Sequence, residues 1–177
     1  MAPRSAPLEH RVADEILFVL DSTESENLVR RRSELRGLSD DHHTGLVLAK
    51  RCRQVGHPGS ALLEVVWNQV VEAFSSHLEP HFLIEEEHLL PALESIGETS
   101  LASRIRADHS ALRTLRESES PSQTMINHFG ELLESHIRFE ERQVFEPTQD
   151  RLPEAALNAI AAACEARSRS CQPFREP

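Results

Sequence analysis

"HFLIEEEHLLP" occupies residues 81–91 and "HIRFEERQVFEP" residues 136–147. Both read His, three residues, Glu-Glu, two residues and two apolar residues, with a proline closing the phrase. On a helix, residues four apart stack one above the other, with Cβ atoms about 5–6 Å apart. His81 with Glu85, and His136 with Glu140, therefore each aim an imidazole and a carboxylate at one place.

The flanking residues say which way those pairs face. Leu63, Trp67, Val70, Phe74, His77, His81, Glu85 and His88 follow alternating steps of four and three, one stripe of one long helix. Pro80 has no N–H to donate, so the pattern predicts a kink or break just before His81, and Pro91 with Gly97 closes the element. The second copy sits on a helix from about Ser122 to Phe145, with Met125, Phe129, Leu132, His136, Glu140 and Val144 inward and Pro147 ending it. Between them, Leu101, Ile105, His109 and Leu112 mark a helix over about 100–116. Upstream, "LSDDHHTGLVLAKRCRQ" (38–54) predicts a helix capped by Ser39 or Asp40 and ended by the turn signal "GHPGS".

A short amphipathic helix is expected around Val12, Ala13, Ile16, Leu17 and Leu20, followed by a polar connector. An alanine-rich helix is expected over 153–166, before a polar tail. Glycine is scarce and β-type alternation almost absent, so the fold class is all-α. The expected architecture is an antiparallel, up-down-up-down four-helix bundle over 38–148 with an extra helix at each terminus, in segments 1–37 and 149–177.

Composition narrows the function. A chain of 177 residues is about one domain. The formal net charge of −10 argues against a nucleic-acid surface and suits a soluble monomer or small oligomer, a homodimer included. The start does not resemble a signal peptide, and no apolar run approaches the ~20 residues that span a bilayer. Cys52, Cys164 and Cys171 lack metal-type spacing and fit reduced thiols in a cytoplasm. Histidine is the oddity: ten residues in a chain without tyrosine.

Two further histidines complete a pattern. "DDHHTGL" and "ADHSAL" each place a histidine three residues before a leucine: His43 before Leu46, and His109 before Leu112. His42, beside His43, aligns instead with Gly45 and Ala49; the step to Leu46 favours His43. The chain then reads His, HxxxE, His, HxxxE. Buried carboxylates and imidazoles are costly unless compensated, and metal ions compensate them directly. Four imidazoles and two carboxylates suit two ions, each with two nitrogens and two oxygens if both carboxylates bridge. An oxo or hydroxo bridge would leave a position open for a small ligand. Mixed N/O donors favour iron over zinc or magnesium, and leave manganese open.

The run "HFLIEE" resembles the HFxxE element of the hemerythrins, and the whole set resembles the bacterial hemerythrin-like HHE cation-binding domain over residues 38–148. The resemblance implies an antiparallel four-helix bundle around an oxo- or hydroxo-bridged non-haem di-iron centre. His43, His81, His109 and His136 would be terminal ligands, and Glu85 and Glu140 the bridges. Oxygen-carrying hemerythrins have a second histidine one turn from the first on the third helix. Ile105 and Arg113 stand at those turns here, so the set is similar to the six-ligand version. Di-iron proteins of iron–sulfur repair share that version but carry an N-terminal cysteine-bearing domain, and residues 1–37 hold no cysteine.

His77 and His88 share the inward stripe and read as hydrogen-bonded neighbours of the site, and His128 as exposed. Asp40, Asp41 and Asp108 adjoin candidate ligands and fit either imidazole hydrogen bonding or solvation. Glu86 and Glu87 read as a solvated face. No acid–base or nucleophile system is evident. The function expected is a di-iron protein that binds or senses dioxygen, peroxide or nitric oxide. The alternatives are a peroxidase-like or nitric-oxide-handling enzyme and a structural iron-binding domain.

Overall fold

The protein is described by a computed structural model over residues 31–56, 62–118 and 121–170. The expected N-terminal helix around Val12–Leu20, together with His10, His57 and Cys171, lies outside the described residues. Within them there are five helices and no strand: α1 (Arg36–Gln54), α2 (63–95), α3 (Thr99–Arg116), α4 (123–148) and α5 (Glu154–Ser170). A 3-10 turn, Ser33–Leu35, leads into α1.

The helix starts follow two different signals. Ser122 caps α4, its side chain accepting from the Met125 N–H, as its residue type favours. By contrast α1 begins three residues before Ser39, so the expected caps Ser39 and Asp40 lie inside the helix. Leu35 and Leu38, both fully buried, explain why: apolar burial extends the helix upstream of the polar cap signal. Gly56 and Gly97 follow α1 and α2 with φ of +88°, a conformation that glycine adopts without strain.

The prolines correct a local rule. Neither Pro80 nor Pro91 ends α2, which runs on to Ser95. Wide π-helical turns, Phe74–Leu78 and Glu85–Leu89, precede Pro80 and Pro91, and a third, Glu140–Phe145, precedes Pro147. A proline ring collides with the carbonyl four residues back and cannot donate to it. Widening the preceding turn relieves both faults without breaking the helix. Two of these turns begin at Glu85 and at Glu140; π turns recur where helices carry functional groups.

Packing places the polar pairs between two apolar clusters. One gathers Leu38, Leu89, Leu93, Ile105, Phe145 and Ile160, and the other Leu48, Trp67, Val70, Phe74, Leu112 and Phe129. Each fully buried large side chain contributes on the order of 1.5–3 kcal/mol. On α4 the fully buried leucine is Leu133, whereas Leu132, expected inward, is half-buried. α1 lies along α4, while α3 packs against α4 and the end of α2. α5 packs on α1 and on the Glu79–Leu89 part of α2.

Glycine permits the α1–α4 contact. A Cβ at Gly130 would lie 2.7 Å from both the Ala49 carbonyl oxygen and the Cys52 Cβ, and one at Gly45 2.7 Å from Ile137 Cδ1. Gly130→Ala is expected to lower the melting temperature. Overpacking against backbone costs about 1–3 kcal/mol, which outweighs the ~1 kcal/mol that alanine gains in helix propensity. A thermal melt with an unchanged or higher midpoint would contradict this.

Candidate metal centre

Four helices each bring one histidine to the middle of the packed core. His42 on α1, His81 on α2, His109 on α3 and His136 on α4 are at most 4 % exposed, and Glu85 and Glu140 are fully buried. Glu85 spans two histidines: Oε1 lies 3.3 Å from His81 Nε2 and Oε2 lies 3.2 Å from His109 Nε2. Glu140 Oε2 lies 3.1 Å from His42 Nε2 and 3.3 Å from His136 Nε2. Two overlapping donor groups result: His42, His81, Glu85 and Glu140, and Glu85, His109, His136 and Glu140. Both carboxylates belong to both groups.

The ligand expectation on α1 needs correction. His43 is exposed and His42 is buried against Glu140. The inward stripe of α1 is Leu38, His42, Gly45, Leu48, Ala49 and Cys52, and Leu46 is only half-buried. Close approach to α4 requires small residues, so Gly45 and Ala49 mark the inner face better than Leu46. His77 and His128 are exposed and His88 is half-buried; none belongs to either donor group.

The outer nitrogens form a second pattern. His42 Nδ1 is 2.6 Å from Glu141 Oε1, His81 Nδ1 is 3.1 Å from Asp41 Oδ2, and His109 Nδ1 is 2.9 Å from Glu86 Oε1. His136 Nδ1 faces Asp108 Oδ2 at a looser 3.6 Å. Each helix thus offers its carboxylate to the histidine of the next: α1 to α2, α2 to α3, α3 to α4, and α4 back to α1. In the three hydrogen-bonded rings, His42, His81 and His109, an Nδ1–H donated outward leaves the Nε2 lone pair facing inward, the tautomer a metal requires. Glu86 and Glu141 are the histidine partners that sequence reasoning passed over. Their signal was the second Glu of the doublet in both copies of the repeated phrase.

Electrostatics in the metal-free protein follow from this arrangement. Burial alone would lower the His81 pKa, but the charge of Glu85 and the hydrogen bond to Asp41 push it up to about 10. Burial opposes protonation of His109 too, and Glu85 and Glu86 raise it to about 9. The His109 and Arg113 hydrogen bonds lower Glu86 to about 2. Glu141, despite burial, is lowered to about 2 by His42 and Ser39. Protons here occupy the charge balance that a cation would otherwise provide.

The donor atoms fit a metal. Both oxygens of Glu85 and of Glu140, His109 Nε2 and both His136 nitrogens are buried without a hydrogen-bond partner among the described residues. Leaving such a group unsatisfied costs about 1–3 kcal/mol, and coordination would satisfy them together. A cavity of about 20 Å³ adjoins His42, His81 and His136, walled by Gly45, Leu48 and Leu133. That volume exceeds the ~10–15 Å³ needed for one water-sized molecule.

Comparison with known proteins agrees with the geometry. The family model of the hemerythrin HHE cation-binding domain matches residues 8–148. The chain belongs to that family. No curated protein and no solved structure matches it. The HHE match covers α1–α4 and reaches upstream into the segment 8–37, while α5 lies beyond it. Among the described residues of this HHE chain, no helix is long and apolar enough to cross a membrane.

Proposed function

We propose that the chain is a non-haem di-iron protein that binds or senses a small oxidant: dioxygen, peroxide or nitric oxide. The single observation behind this reading is the pair of donor groups sharing Glu85 and Glu140. Each group offers two imidazoles and two carboxylates, a mixed set that suits iron and also manganese. In the same reading α1–α4 form the antiparallel, up-down-up-down bundle, residues 38–148 are its core, and the flanking segments are additions to it. Buried free thiols at Cys52 and Cys164 favour a reducing compartment such as the cytoplasm.

Iron bound here would supply one-electron exchange with a small ligand. The protein's own residues do the rest. Glu85 and Glu140 offset positive charge at the centre, and outward carboxylates hold three of the four imidazoles with their lone pairs aimed inward. Val70, Phe74, Leu112, Phe129 and Leu133 keep bulk water away. The cavity beside His42 and His81 limits entry to molecules about the size of water.

Metal analysis with anaerobic spectroscopy of freshly purified protein tests the reading. Near two irons per chain are expected, with a near-ultraviolet band of the ferric pair that dithionite bleaches and air restores. Two manganese ions without such a band would replace iron in the reading. No bound metal would end it.

A further inference from the structure

Behind each carboxylate of the histidine ring stands an arginine: two on α3, one on α5 and one upstream of α1. Arg113 of α3 bonds Glu86 at 2.7 Å, and Arg104 of α3 lies 3.7 Å from Asp108. Those two back His109 and His136. Arg167 of α5 donates to Asp41 Oδ2, the oxygen that faces His81 Nδ1. Arg31, upstream of α1, donates to Glu141, which holds His42 Nδ1. Thus α3 itself supports one donor group, and segments flanking α1–α4 support the other.

We propose that the two metal positions are controlled separately, the His42–His81 position by Arg167 and Arg31 of the flanking segments and the His109–His136 position by α3. Arg167 and Arg31 are positioning residues. Each fixes a carboxylate that orients an imidazole and makes its inward nitrogen more basic. Asp41, His42 and His81 all line the cavity, so the Arg167–Asp41 contact bears on an ion position that an entering ligand reaches. This inference rests on the metal reading above.

The test is titration of the full-length metal-free protein with Co(II), following its visible bands and counting ions bound. Losing a carboxylate behind a metal-binding histidine weakens metal affinity on the order of 10–100-fold; a change one residue further out should fall at or below the lower end, roughly 3–10-fold. Arg167→Gln is therefore expected to weaken one of the two ions by that amount, the ion lost in His42→Ala, and to leave the other within about twofold. Arg167→Lys should restore part of the loss, and Asp41→Asn with Arg167→Gln should lose no more than Asp41→Asn alone. Arg113→Gln should weaken the opposite ion. Arg32→Gln, which removes the 2.8 Å bridge from Arg32 to Glu154 at the start of α5, serves as the docking control and should leave both ions unchanged. Equal weakening of both ions, unchanged affinities in Arg167→Gln, or an equal loss in Arg32→Gln would overturn the proposal. A wild-type protein that takes up no cobalt would instead remove the metal reading on which it stands.

Discussion

Glu85→Gln is expected to abolish binding of both metal ions, whereas His109→Ala should abolish only one. The amide keeps the volume of the carboxylate but carries no charge and one fewer oxygen donor. Glu85 belongs to both donor groups, and His109 to a single group. Metal content per chain, measured after loading with excess ferrous iron and desalting, reads the difference directly. The fully buried Glu85 also balances His81 and His109 in the metal-free protein. Breaking such a buried pair costs about 3–5 kcal/mol, so a lower melting point should accompany the loss of metal. On α1, His42→Ala should lose one ion, while His43→Ala, on the exposed face, should lose none. If Glu85→Gln still holds two ions per chain, the shared-carboxylate arrangement is wrong.

Metal removal should have an equally large effect, and one that grows as pH rises. Each site occupied at a thousand times its dissociation constant adds about 4 kcal/mol to the folded state. Two sites in a chain of this size raise the melting point by roughly 15–30 °C. In the metal-free protein His81 is raised to about 10 and His109 to about 9, above an unfolded value near 6.5. A raised histidine contributes stability that is fully present below the unfolded pKa and is lost as pH rises through the folded one. The metal-free protein should therefore lose stability steadily between pH 6.5 and about 10. At the acid end Glu86 and Glu141, lowered to about 2, contribute stability above the ordinary carboxylate pKa that is lost as pH falls towards 2. Metal must displace the imidazole protons, so its stabilising increment should grow as pH rises. Melting curves with iron and with chelator, taken anaerobically from pH 5 to 10, separate the two slopes. Parallel curves would mean that the ions bind elsewhere than at these histidines.

The chain by itself determined the helical class, the approximate spans of four of the five helices, and five of the six histidine and glutamate side chains that meet in the core. That information is local: i,i+4 spacing sets a shared face, and apolar neighbours at helical spacing set which face is buried. Three features belonged to the tertiary structure. The choice of His42 over His43 depended on how closely α1 approaches α4, because the tight crossing at Gly130 puts small residues on the inner face that in isolation reads as the weaker one. The passage of α2 through Pro80 and Pro91 depended on π turns, where packing on both sides keeps the helix whole although the local rule ends it. The partners of Glu86, Glu141, Asp41 and Asp108 depended on which helix lies next to which. A residue beside an inward one points about 100° around the helix, towards a neighbour that sequence spacing does not name. Arg167 shows this most clearly: its carboxylate partner, Asp41, stands 126 residues earlier in the chain.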